Sequence, residues 1–542
     1  MAALSIDRKT LLLLLFAAVV LLIGAGSYGV IETSDARYAE IAREMLQSRD
    51  WLHPSLLGIH HYHKPPLTYQ ITALGYGLWG INPFGARFFL QMSVVLQLLL
   101  IYLTARRLGL DARVARWAAA VYFSFPLVLA SSRTLTTDSF LTTFALAAVY
   151  SWVGYRREGR ARWLYLLALW LGLGFLTKGP VILIAPVLFA LFWRPETAGR
   201  AAPRYHKLFA AALFVLLSAS WFLYLARENP AFWSYFIERQ TIQRFGSNVF
   251  HRHEPFWYYW LYAPLVGLPW LAALPWLWAR AEAGGEKKLL RALLLAGLAG
   301  MLFFSLSSSK RILYILPLFG FFALAVAMLI DRLGASDAER LERGVKAYAV
   351  GIALLFAAAP WLPLPGVHLP AVVTLYALGA LLALAGLGRW KIFSKSRAVL
   401  AAVIASTLLL LAATATLSRS PESFKIADPV ARWIRARHLQ ERTVLVYDRR
   451  LPSLAFTLKK PIVSLYDCSR DLDRETRFEK DERWRENLYN LKDPKERKRL
   501  KRALSNTDYL LVLFAKKLPE NRRWLIEKLP HVGKIGRWTV YY

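Results

Sequence analysis

The stretch RKTLLLLLFAAVVLLIGAGSYGVIETSDARYAE, residues 8–40, joins a basic start, a long apolar run and three acids, Glu32, Asp35 and Glu40. Residues 10–30 have the length of a membrane-crossing helix, which needs roughly 17–25 apolar residues. The run is longer than the apolar core of a secretory leader and lacks a convincing small-residue cleavage site, so it reads as a retained helix. The acids stand where that helix leaves the bilayer, and what they do there depends first on topology.

The rest of the chain repeats the apolar pattern. Its 542 residues are 56% hydrophobic, with 20 Trp and a mean hydropathy of +0.33, too apolar for an ordinary soluble enzyme. Spans are expected near 10–30, 84–105, 114–130, 134–154, 163–177, 179–193, 208–226, 256–278, 290–308, 312–330, 347–363, 369–388 and 398–417, about thirteen in all. The formal net charge of +33 does not point to nucleic acid, because the cations cluster in alternate connections. Arg106, Arg107, Arg113 and Arg116 fall in one; Arg156, Arg157, Arg160 and Arg162 in the next of that set; Arg194, Arg200, Arg204 and Lys207 in a third. Three later connections repeat the pattern. By the positive-inside rule these connections and the N-terminus face the cytoplasm. Loops 31–83 and 227–255 and the tail then face outward.

The outer segments have structure of their own. Ala36, Tyr38, Ile41, Ala42, Met45 and Leu46 recur at helical spacing, and a second amphipathic stretch follows Pro65 and Pro66. These predict two interfacial helices, with Trp51, Tyr62, Tyr69, Tyr76 and Trp79 as interfacial aromatics. After residue 417 the composition changes. RTVLVYD and DYLLVLF read as buried strands, IGRWTVYY as an edge strand, and DPVARWIRARH and ERWRENLYNL as helices. The expected architecture is a polytopic α-helical membrane domain over 1–417 and a small outward α/β domain over 418–542. The single cysteine, Cys468, allows no intramolecular disulfide.

Two acids stand out on the outer face. Asp35 follows the first span, and Asp138 in RTLTTDSF lies just inside the fourth. A carboxylate in a membrane helix costs up to roughly 2.5–3.5 kcal/mol at its centre, so Asp138 is expected to face a cavity or a partner. Two such acids in one cleft suit proton transfer, the orientation of substrate hydroxyls, or a metal. Lys64, Lys178, Lys310 and Arg311 share that face, as does Arg133, and lysines and arginines bind phosphate by charge-assisted hydrogen bonds. His53, His60, His61, His63, His251 and His253 all lie in the two outer loops, so HHYH and HRH offer imidazoles to zinc, although the spacing matches no strong zinc motif. No Walker loop, nucleophile elbow or HExxH pattern is present.

ETSDARYAEIAREMLQSRDWLHP, YHKPPLTYQITALGY, FLTKGPV, IQRFGSNVFHRHEPFWYY and SSSKRILYILPLF, in this order over the first 330 residues, resemble the bacterial ArnT-like branch of the protein mannosyltransferase superfamily. These are integral-membrane glycosyltransferases of the GT-C fold. The resemblance implies a polyprenyl-phosphate sugar as donor, used on the periplasmic face, with undecaprenyl phosphate as carrier and lipid A or another envelope glycan as acceptor. It also implies that Asp35 and Asp138 are the family's two functional acids, and that Lys64, Arg252 and Tyr314 hold the carrier phosphate with help from Lys178, Lys310 and Arg311. A glutamate usually precedes the lysine of the KP motif in that family; here His63 stands in its place, and with His253 it is the candidate for a divalent metal.

Two other readings fit the same residues. A protein O-glycosyltransferase would keep the donor and change the acceptor. A lipid-linked sugar transporter would place its polar site near mid-bilayer, whereas the charges here gather at one face.

Overall fold

The computed structural model describes residues 6–195, 199, 201–236, 254–282, 286–362, 367–389, 393–468 and 475–542. The chain packs as two compact units, one made of residues 1–25 and 88–416, the other of residues 26–87 and 417–542. The first outer loop and the tail, distant in sequence, therefore fold together.

The first unit is helical. In chain order the first ten helices are α1 (Arg8–Leu22), α2 (Ser34–Ser48), α3 (Leu67–Trp79), α4 (Pro83–Arg107), α5 (Ala112–Phe123), α6 (Pro126–Arg133), α7 (Thr137–Glu158), α8 (Arg162–Lys178), α9 (Ile184–Phe192) and α10 (Arg204–Glu228); α2 and α3 belong to the second unit. Later come apolar helices at Lys287–Leu306, Phe319–Asp331, Ala335–Ala358, Val372–Gly386 and Ser394–Arg419. Among the described residues, eight helical runs are long and apolar enough to cross a membrane, or ten if each of two bent pairs is one span. The expected count of thirteen is larger because α1 has only 15 residues, because α7 mixes Thr, Ser and Tyr into its length, and because Arg162–Phe192 forms one run where two spans were expected. That run contains a 3-10 turn, Gly179–Leu183, entered at Gly179 with φ +76°, a conformation that favours glycine.

Polar side chains stitch the helices together where the bilayer gives no solvent for them. Tyr122 donates to Gln97 Oε1 (2.8 Å), and Gln97 Nε2 donates to the Ser139 carbonyl (2.8 Å), joining α5, α4 and α7. Arg133, at the end of α6, donates to the carbonyls of Leu21 (2.8 Å) and Ile23 (2.7 Å) and to Thr414 Oγ1 (3.1 Å). A cation at the C-terminal carbonyls of α1 satisfies orphan acceptors and complements the helix dipole. Arg133 is thus a helix cap, not a free cation of the outer face.

The second unit carries a six-stranded sheet of order β5-β4-β3-β6-β8-β7. A short hairpin in the first outer loop supplies β1 (Ser55–Leu56) and β2 (Ile59–His60), and the tail supplies β3 (Thr443–Tyr447), β4 (Val463–Tyr466), β5 (Leu488–Asn490), β6 (Tyr509–Phe514), β7 (Val532–Ile535) and β8 (Trp538–Tyr541). β3 runs parallel to β4 and β6, and β8 pairs antiparallel with both β6 and β7. Two expectations are corrected. IGRWTVYY is not at the edge, because β7 folds back through Gly536 (φ +55°) to cover β8. ERWRENLYNL is a 3-10 turn, Arg483–Glu486, followed by β5, since Leu488 and Tyr489 bury against the sheet. DPVARWIRARH is helical over Asp428–Ala436, with Val430, Ala431 and Ile434 buried.

Helices α2 and α3 form as the periodicity predicts. The aromatics on them are not all interfacial. Tyr62, Tyr69 and Tyr76 are buried, Tyr69 packs on Tyr38 with ring centroids 5.2 Å apart, and the Tyr76 hydroxyl donates to the Ala39 carbonyl (2.9 Å). Only Trp79 of the set is largely exposed.

Candidate active site

The segment after α1 is fixed from the tail. Ile31 bridges Ile426, and a Cβ at Gly29 would come within 2.7 Å of Ile426 Cγ2, so glycine permits the close approach. Glu32 Oε1 accepts from the Ser453 amide (2.7 Å). Burial pushes the Glu32 carboxyl up to about 7, against the pull of that amide and of Arg37 and Arg450. An acid whose folded pKa exceeds its unfolded value holds its proton longer when folded. This unit's stability should therefore fall as pH rises from 4.5 to about 7. Glu32→Gln is expected to flatten that part of a thermal-unfolding profile; a slope equal to wild type would show that Glu32 does not set it.

Asp35 opens α2 and is buried, 3% exposed. Its Oδ2 accepts from the Ile31 amide (2.9 Å) and from Arg87 Nη2 (2.7 Å). Arg87 is fully buried, donates also to the carbonyls of Tyr28 (3.0 Å) and Gly29 (2.9 Å), and lays its guanidinium 4.1 Å from the Tyr28 ring centroid. One side chain thus fixes both the acid and the chain leading to it. Sequence reasoning missed Arg87, which looks in GARFFL like an ordinary cation at a helix start. Removing one partner of a buried pair costs about 3–5 kcal/mol. Arg87→Met should therefore lower the melting temperature strongly and Arg87→Lys less so; equal melting of wild type and Arg87→Met would contradict the pairing.

Glu40 forms a fork with Arg43, Oε2 to Nε at 2.7 Å and Oε1 to Nη2 at 2.5 Å, both side chains buried. It is a structural ion pair of α2. Lys64 sits half-buried in the turn before α3, and the His63 ring lies tilted by 37° against that of the buried His61, with centroids 3.9 Å apart. Among the described residues no three His, Cys, Asp or Glu side chains gather as a metal site. Arg252 and His253 lie outside the described residues.

A second cluster lies in the helical unit. Thr136 caps α7, and its Oγ1 is 3.2 Å from Asp138 Oδ2. Asp138 Oδ1 accepts from Lys178 Nζ, at the end of α8, with both side chains less than a tenth exposed. Lys178 Nζ also stands 4.2 Å from the Tyr314 ring centroid, Tyr314 being held in the 3-10 turn Ile312–Leu318. The ammonium is thus oriented by a carboxylate and an aromatic face, a cation–π contact that gains strength away from water. Lys310 and Arg311 lie just before that turn. Lys310 Nζ donates to the carbonyls of Glu254 (2.8 Å) and Ser307 (2.6 Å), and burial lowers its pKa. The Arg311 backbone is pinned by the Tyr259 hydroxyl, which donates to its carbonyl (3.0 Å). The structure brings Asp138, Lys178 and Tyr314 together, and places Asp35 with Arg87 in the other unit.

The family model described as dolichyl-phosphate-mannose-protein mannosyltransferase matches residues 9–236. The undecaprenyl phosphate-α-4-amino-4-deoxy-L-arabinose arabinosyl transferase of Pseudomonas paraeruginosa is 31% identical over 487 residues, 86% of each chain. The protein of the same name from Edwardsiella ictaluri is 35% identical over 364 residues, and that match spans 62% of this chain and 64% of the relative. In fold, the chain is similar to the crystal structure of ArnT from Cupriavidus metallidurans in the apo state, with a TM-score of 0.78 at 20% identity over 98% of this chain and 97% of that one. The same protein bound to undecaprenyl phosphate gives 0.77 at 18% identity, over 99% and 98%.

Proposed function

Because the chain belongs to the ArnT-like family of GT-C glycosyltransferases, we propose that it transfers a sugar from undecaprenyl phosphate to lipid A or a related envelope glycolipid, the sugar being 4-amino-4-deoxy-L-arabinose or a close analogue. The observation that carries this reading is the likeness to the Pseudomonas paraeruginosa transferase over 86% of both chains. The setting is the bacterial inner membrane, with the N-terminus cytoplasmic and Asp35, Asp138 and the tail on the periplasmic side. The basic connections support that orientation.

The acceptor oxygen attacks the anomeric carbon, the bond from that carbon to the carrier phosphate breaks, and the configuration inverts. Undecaprenyl phosphate leaves with the electron pair. Asp35, held by Arg87, orients the acceptor; it takes the proton where the acceptor is a hydroxyl, and none moves where the acceptor is an ionised phosphate. Lys178, directed by Asp138 and Tyr314, stabilises the negative charge that develops on the departing phosphate. Lys64 and Arg252 are assigned to the carrier phosphate by the family resemblance alone, and Lys310 and Arg311 precede the turn that carries Tyr314.

Purified protein given undecaprenyl-phosphate-linked aminoarabinose and lipid A should release undecaprenyl phosphate. Donor left intact over many hours, with folded protein, would overturn the assignment. A second reading, transfer from the same donor to a protein, draws support from the mannosyltransferase family model over 9–236 and from His63 in the place of the family's usual glutamate. Release of carrier with a protein acceptor but not with lipid A would select it.

A further inference from the structure

Asp138 opens α7, and the last turn of that helix, about 27 Å away at 1.5 Å per residue, carries Arg156. There α7, α8 and α10 enclose a groove of about 560 Å³, within the roughly 300–1,000 Å³ of small-molecule sites. Leu164 and Ala168 of α8 and Phe214 of α10 make its floor apolar, while Arg156 and Lys207 are its cations. Trp152 lines it as well. Its Nε1 is buried and has no hydrogen-bond partner among the described residues, and Arg156 Cζ lies 5.4 Å from its ring centroid. An indole N–H buried without an acceptor is costly, and it calls for an acceptor from outside the chain.

The carboxylate nearest in sequence does not answer that demand. Glu158 accepts from Arg107 (2.6 Å), Trp163 Nε1 (2.9 Å) and Arg162 (3.2 Å). Among the described residues neither Arg156 nor Lys207 is in an ion pair, so the polar edge of the groove is left positive. An apolar trough between membrane helices with two cations and an unmatched donor is complementary to a lipid that carries one phosphodiester and acyl chains. We propose that this groove binds a single anionic glycerophospholipid of the leaflet at the basic end of α7. Its phosphate meets Arg156 and Lys207, an ester or phosphate oxygen accepts from Trp152 Nε1, and an acyl chain lies along Leu164, Ala168 and Phe214. Such basic pockets between membrane helices on the cytoplasmic side are where anionic headgroups bind. The site stands apart from Asp138 and Lys178 and bears on how the helices α7, α8 and α10 are held, not on sugar transfer.

The test is native mass spectrometry of the full chain in detergent, titrated with phosphatidylglycerol, with phosphatidylcholine or with undecaprenyl phosphate. Wild type should keep one phosphatidylglycerol at concentrations where phosphatidylcholine is lost, and R156Q/K207Q should need at least about tenfold more, a factor of 1.4 kcal/mol. Trp152→Phe keeps the ring, removes the donor and should weaken retention in the same direction, which guards against a double variant that fails to fold. Equal retention of phosphatidylglycerol by wild type and by folded R156Q/K207Q would overturn the proposal. So would equal retention of phosphatidylcholine, or a retained undecaprenyl phosphate that R156Q/K207Q alone releases.

Discussion

Asp35→Asn is expected to lower sugar transfer about a hundred- to ten-thousand-fold, the range in which a positioned acid or base contributes. Asparagine keeps the size of the side chain and an oxygen able to accept from the Ile31 amide. It removes the charge that faces Arg87 Nη2 at 2.7 Å and the capacity to take a proton from an acceptor hydroxyl. Some loss of stability is also expected, because Arg87 is left buried opposite a neutral amide. Release of undecaprenyl phosphate, normalised to protein that elutes as a monodisperse species and melts cooperatively, separates the two effects. Turnover near wild type would remove Asp35 from the reaction, whatever its role in the fold.

Lys178→Met should cost about a hundred- to thousand-fold in turnover, the loss typical of deleting one donor that faces developing negative charge. The side chain is buried between Asp138 and Tyr314, so the single change also leaves a carboxylate without its cation. The double variant Asp138→Asn/Lys178→Met discriminates. If the pair only holds α7 to α8, removing both charges should restore folding and activity together, since a buried ion pair is often replaceable by neutral groups. If the ammonium serves the departing phosphate, stability recovers and turnover does not. Recovery of turnover in the double variant would contradict the role given to Lys178.

Much of this was legible in the sequence, because the bilayer imposes simple rules. Apolar runs and the alternation of basic connections led to a polytopic helical protein, and the abrupt change after residue 417 marked the α/β tail. Asp138 stands out in sequence because a carboxylate inside an apolar run is costly, and the structure gives it Lys178 as partner. What stayed hidden depends on contacts between distant residues. Arg87 and Arg133 look alike as isolated cations near helix ends, yet one orients Asp35 and the other caps α1. Tyr69 and Tyr76 have interfacial composition but are buried, because α2 and α3 pack against each other in the unit they share with the tail. The charged neighbours of Leu488–Asn490 mimic an amphipathic helix, and only pairing with β4 makes the segment a strand. The close approach of the His61 and His63 rings, with centroids 3.9 Å apart, is likewise a contact that composition does not reveal.

The most direct test of glycolipid transfer is mass spectrometry of lipid A from cells lacking the gene and complemented with either wild type or Asp35→Asn. A sugar-sized mass increment with wild type alone is the expected result, and its mass identifies the sugar. Lipid A of unchanged mass with both proteins expressed and folded would contradict transfer to lipid A.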